Sequence, residues 1–124
     1  AMTRYGMPQT FFERYFVANF CPLIFFDSSG KNITPDKIPV AERKPLLDAC
    51  NKALLHTVEY LKPRYVAGIG RFAERQCRES LAGAEVVIGN IPHPSPANPR
   101  ARKNWGNLAE KALEKMGVKV RVLK

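Results

Sequence analysis

Two short apolar runs, Arg64 to Gly70 and Glu85 to Ile91, are separated by a ten-residue stretch, Arg71 to Ser80, that reads as a helix. Each run is short and dense in apolar residues, with Pro or Gly punctuating it, the pattern of a buried parallel strand. Parallel strands need a crossover between them, and a helix supplies it. The same alternation extends outward. Tyr15 to Asn19 is rich in aromatic and β-branched residues and is cut short by Pro22, which predicts a buried strand. Leu47, Cys50, Leu54, Val58 and Leu61 recur at spacings of 3, 4, 4 and 3, one helical face; this predicts a helix from about Ala41 to Leu61. Pro45 fits only near a first turn, which places the true start a few residues later. Asn104 to Met116 reads as a helix closed by Gly117, and Val118 to Leu123 alternates like an edge strand.

The order is β-α-β-α-β-α-β, so the expected fold class is α/β: a short, mainly parallel sheet flanked by helices. With 124 residues the chain is expected to form one domain, 1–124. Asp27 to Pro39 is turn chemistry, a surface excursion within that domain. No run approaches the ~18 apolar residues that cross a bilayer, and no membrane partner is expected. Cys21, Cys50 and Cys77 are far apart, without Cys-x-x-Cys spacing, and read as buried thiols; no metal site is expected.

Twenty Lys and Arg against eleven Asp and Glu give a net charge of +9, and an anionic partner follows. The excess is concentrated after Ile91, in residues such as Arg100, Arg102, Lys103, Lys111 and Arg121. Ligands of such sheets bind beyond the carboxyl ends of strands, so the loops after Asn19, Gly68 and Pro92 are the candidates. Gly68-Ile69-Gly70-Arg71-Phe72-Ala73 fits a nucleotide-binding G-x-G-x-x-G/A turn, yet the acidic ribose ligand expected ~20 residues on is missing. The alternative is a tight strand-to-helix turn close to another backbone. His93 lies in a loop held by four prolines, Pro92, Pro94, Pro96 and Pro99, stiff enough to serve as a wedge. The amide of Asn19 offers one donor and one acceptor to a nucleobase edge. His56 reads as a partly buried structural residue, and Trp105, Phe25 and Phe26 as packing residues with a capacity to stack on bases. Glu110 and Glu114, beside Lys111 and Lys115, read as a solvated helix face. No carboxylate pair or Ser-His-Asp order stands out.

Four segments, FFERYFVANFCPLIFF, GKNITPDKIP, VAGIGRFAE and HPSPANPRARKNWG, resemble in order and spacing the single-strand-selective monofunctional uracil-DNA glycosylases. The likeness runs from about Pro8 to Lys124 and rests on a long compound pattern, Asn-x-Cys-Pro-Leu and, ~70 residues on, His-Pro-Ser-Pro-x-Asn-Pro. The resemblance implies a uracil-DNA-glycosylase-like α/β fold and metal- and cofactor-independent hydrolysis of the N-glycosidic bond of uracil, extending to oxidised uracils, in single- and double-stranded DNA. It implies that Asn19 reads the base, that His93 is the catalytic histidine, and that Pro94, Ser95, Pro96, Ala97, Asn98, Pro99 and Arg100 begin the wedge that fills the gap left by a flipped nucleotide. Arg102 and Lys103 would lie beside DNA phosphates. It further implies a monomer acting in base excision repair, in the nucleus of a nucleated cell or otherwise in the cytoplasm with the chromosome.

The sequence departs from that family in two respects. The Gly-Met-Asn-Pro-Gly-Pro strand and loop whose Asn positions the attacking water, and a Phe that stacks on uracil, are absent, so the chain looks like the C-terminal half of an enzyme. Ala97 stands where relatives often carry Arg, which leaves opposite-strand contacts to Arg100 or Arg102. A catalytically incomplete DNA-binding fragment is therefore the competing reading.

Overall fold

The computed structural model describes residues 7–94 and 101–120, with the side chains of 101–103 left out. They fall into two compact units: one comprises the segments before Asn19 and after Lys62, the other is Asn19–Lys62.

The first unit is built on strands β3 (Tyr65–Ile69) and β4 (Val87–Ile91), joined by helix α3 (Arg71–Ser80). The strands pair in parallel, with Tyr65 opposite Val87 and Ile69 opposite Ile91. This is the crossover that the two apolar runs predict. Backbone direction alternates along each strand. Val87 N–H donates to the Arg64 carbonyl and Gly70 N–H to the Ile91 carbonyl, so Tyr65, Ala67 and Ile69 turn their amides away from β4. Ile88 and Asn90 likewise turn theirs away from β3. At the outer side of β4, Arg78 Nη2–H donates to the Ile88 carbonyl at 3.2 Å. Helix α3 buries Gln76 and Cys77 and is followed by Leu81, which at 1% exposure is the most deeply buried large side chain of the described residues.

Helix α4 (Ala101–Met116) packs against β4 and is kinked at Asn104, with φ −144° and ψ 32°. Gly117, at φ +107°, closes it as the sequence predicts. The expected edge strand over 118–123 is not formed at 118–120, and the rest of it lies outside the described residues. Glu110, expected on a solvated face, is 8% exposed, so that face of α4 is not the solvated one.

A short helix α1 (Pro8–Phe12) opens the described chain, with Pro8 at its first position, where a missing N–H is tolerated. Phe11 stacks on Tyr15 with ring centroids 4.6 Å apart, and Arg14 Nη2–H reaches the Lys119 carbonyl at 2.7 Å. Tyr15 to Asn19 does not form the buried strand that its composition predicts. Phe16 and Val17 are 67% and 63% exposed. A strand exists only through a ladder, and no described residue pairs with this segment.

The second unit contains the two-residue strands β1 (Phe25–Phe26) and β2 (Asn32–Ile33), paired antiparallel, and the long helix α2 (Val40–Leu61). The turn between the strands is organised by Asp27, whose Oδ1 accepts from Ser29 N–H at 2.9 Å, Ser29 Oγ–H at 2.6 Å and Lys31 N–H at 2.9 Å. The Ser29 hydroxyl, then the Lys31 amide, hold the Asp27 carboxyl below its ordinary pKa. Contrary to the expectation of a later start, α2 runs straight through Pro45. Pro45 falls in the second turn, where it removes only the bond to the Ala41 carbonyl, and both residues are exposed to water. Cys50 and Val58 are buried on the predicted face; His56 is exposed rather than part-buried, and Phe26 is 62% exposed rather than packed.

The observed architecture is α/β with helices and a small two-stranded parallel sheet, compatible with a uracil-DNA-glycosylase-like fold. Among the described residues, the antiparallel hairpin is the strand pair that periodicity did not foretell, being too short to show any.

Candidate functional site

Three contacts fix the chain where β4 ends and the proline-rich loop begins. Gly70 N–H donates to the Ile91 carbonyl at 2.8 Å. Trp105 Nε1–H donates to the Pro92 carbonyl at 2.6 Å. Gly70 lies directly against His93, since a Cβ built on it would sit 3.4 Å from His93 Cβ and 3.5 Å from Cδ2. His93 is thus held at the carboxyl end of the sheet by its two preceding carbonyls and by a residue without a side chain, while its imidazole stays exposed.

The glycine pair serves this turn. Gly70 has φ +91° and ψ 164°, backbone that side chains other than hydrogen rarely tolerate. Gly68 is buried, and a Cβ there would collide with the backbone of Ala73 and Glu74 at the start of α3. The close-backbone reading therefore accounts for Gly68 and Gly70 without a nucleotide.

Asn19 is exposed and begins the second unit, two residues before Cys21, which is half-buried. Burial, and secondarily the neighbouring Cys21 thiol, push the Cys50 thiol up to about 11. Desolvation likewise raises Cys77. Pro94 is exposed beside His93. Ser95, Pro96, Ala97, Asn98, Pro99 and Arg100 lie outside the described residues, as do the side chains of Arg102 and Lys103. Among the described residues no three His, Cys, Asp or Glu side chains group as metal ligands, and no helix is long and apolar enough to cross a membrane.

Sequence reasoning missed the part of Trp105. Its bond to a carbonyl 13 residues earlier ties α4 to the His93 loop, and neither periodicity nor composition signals such a pair. It also missed the cleft lined by Arg71, Glu74, Arg75, Arg78 and Asn90, because Arg71 to Ser80 reads only as a helix and nothing local pairs it with Asn90.

No protein-family model matches the chain. A Rattus norvegicus protein named single-strand selective monofunctional uracil-DNA glycosylase is 44% identical over 115 residues, 91% of this chain and 41% of the relative. Proteins of the same name from Mus musculus and Bos taurus are 43% and 42% identical over 115 residues, each covering 91% of this chain. The chain spans about two-fifths of the length of these curated relatives. At that identity over nine-tenths of its own length, the chain matches the single-strand-selective monofunctional uracil-DNA glycosylases.

Proposed function

We propose that this chain forms part of a uracil-DNA glycosylase of base excision repair, folded as one uracil-DNA-glycosylase-like domain and acting on uracil in DNA. The observation that carries the reading is its likeness to relatives of that name across nearly the whole chain. Uracil presents an N3–H donor beside the O4 acceptor, and cytosine presents the reverse. An Asn19 amide held in one orientation accepts the first and leaves the second mispaired, at about 1–3 kcal/mol per unsatisfied group. As the bond between C1′ and N1 breaks, its electron pair moves onto uracil, with charge on O2. An imidazole N–H of His93 donates to that oxygen, the kind of electrostatic help that is often the largest catalytic term. Water adds at C1′, giving free uracil and an abasic sugar.

His93 suits that role because its loop is anchored at Ile91 and Pro92 while its ring stays exposed. The residues from Pro94 to Arg100 act as the wedge, with Arg102 and Lys103 against phosphates. Substrates include single- and double-stranded DNA and extend to oxidised uracils. The enzyme works without a metal, as a monomer, in the nucleus of a nucleated cell. A second reading, a catalytically incomplete DNA-binding fragment, goes with one observation: the chain spans about two-fifths of the length of its relatives.

The test is uracil release from a labelled single-stranded oligonucleotide at high protein concentration, with His93→Ala as control. Release that the control abolishes supports turnover by this chain. DNA binding without release refutes it and leaves the second reading.

A further inference from the structure

On the outer side of β4, Arg71, Glu74, Arg75, Arg78 and Asn90 enclose a cleft of about 550 Å³. Its charges are not balanced. Arg78 donates through Nε to Glu74 Oε2 at 2.9 Å, so the one acid of the cleft is already neutralised. The second arm of Arg78 is held by the Ile88 carbonyl. Arg71 and Arg75, one turn apart on the same face of α3, have no acidic partner among the described residues. Arg71 also stands in the first turn of α3, where the helix dipole disfavours a cation unless an anion is near. On the β4 side, the Asn90 Nδ2 amide is buried and has no hydrogen-bond partner. A buried donor without an acceptor is unfavourable, and an oxygen brought within its reach would relieve it. Two free guanidinium forks and one free amide donor form an acceptor-seeking set, matched to the tetrahedral oxygens of a phosphate.

We propose that this cleft binds a phosphodiester group of the DNA strand, with Arg71 and Arg75 as its charged contacts and Asn90 as its amide donor. The proposal rests on the DNA-glycosylase reading and deepens it. Asn90 lies at the end of β4 that leads, three residues on, to His93, so the cleft and the histidine share one strand end of the fold. Arg78 holds Glu74 away from that phosphate and serves as a positioning residue.

The test is fluorescence anisotropy with a labelled single-stranded oligonucleotide that contains no uracil, titrated at several salt concentrations. The proteins are the full chain, the double variant Arg71→Ala/Arg75→Ala, and the control Lys44→Ala/Lys52→Ala, which removes the same charge from exposed positions on α2. The arginine variant is expected to lose roughly 10-fold or more in affinity, and its slope of log K against log salt to fall by about 1–2. The lysine control should keep the slope. Equal behaviour of the two variants overturns the cleft, as does an unmodified chain that does not bind DNA. Uracil release is measured in parallel. Release by the unmodified chain with an unaltered arginine-variant slope rejects the cleft alone. Arginine-dependent binding without release keeps the cleft and rejects the glycosylase reading.

Discussion

Replacing Gly70 by Ala probes the turn that carries the histidine. Gly70 sits at φ +91° and ψ 164°, a region that is nearly glycine-only, and holding alanine there costs about 1–3 kcal/mol. The added methyl meets His93 Cβ and Cδ2 at 3.4 and 3.5 Å, close to ordinary contact, so crowding adds little to the strain. If the turn instead relaxes to negative φ, the 2.8 Å bond from Gly70 N–H to the Ile91 carbonyl is lost, at about 0.5–1.5 kcal/mol, and His93 moves with it. Both routes destabilise the chain to a similar extent. The matched control is Gly83→Ala, where the new Cβ has no atom within 4 Å; it should stay within about 0.5 kcal/mol of the parent. Urea unfolding followed by circular dichroism gives the two midpoints, and an unchanged m-value certifies that only stability has shifted. The reasoning is refuted if Gly70→Ala unfolds at the same urea concentration as Gly83→Ala.

Two further outcomes follow from the same geometry. Trp105→Phe removes the donor to the Pro92 carbonyl while keeping an aromatic ring, so stability should fall by about 0.5–1.5 kcal/mol. Under the proposed glycosylase function, uracil release should fall more steeply than stability implies, and equal release at matched folded fraction would deny Trp105 any hold on the His93 loop. The raised Cys50 thiol makes an alkaline prediction. Below about pH 9 it is protonated folded or unfolded; between 9.0 and about 11 only the unfolded chain ionises it, so stability falls as pH rises through that window. Urea midpoints at pH 8 and 10.5 should converge in part for Cys50→Ala, and an unaltered pH slope in that variant would show the thiol to be unburdened.

The crossover β3-α3-β4 was legible because each element carries its own local signal: apolar runs of strand length, a helical stretch between them, and glycines at the turn. The position of His93, exposed just past the end of a strand, was legible too from the apolar run before it and its flanking prolines. Tyr15 to Asn19 was misread because aromatic composition reports a tendency to be buried, whereas a strand depends on a neighbour that the segment itself does not encode. Pro45 misled for a related reason: its local rule counts one lost bond, and the 22-residue helix around it tolerates that loss at an exposed position. The unsatisfied amide of Asn90 left no trace in the sequence, where it reads as one polar residue in an apolar strand. Glu110 was read as solvated from charge spacing alone, which reports neighbours along the helix and not tertiary burial.

The guanidinium of Arg78 on the Ile88 carbonyl has a consequence for self-association. An exposed strand edge is a template on which other copies can stack, and a sheet open on both sides can grow without end. Here the outer edge of β4 already has a cation on its backbone, while the opposite edge, at Tyr65, Ala67 and Ile69, has no strand beside it among the described residues. A strand that approached β4 from outside would first have to displace that guanidinium from the Ile88 carbonyl, giving up a charge-assisted hydrogen bond before any ladder could form there.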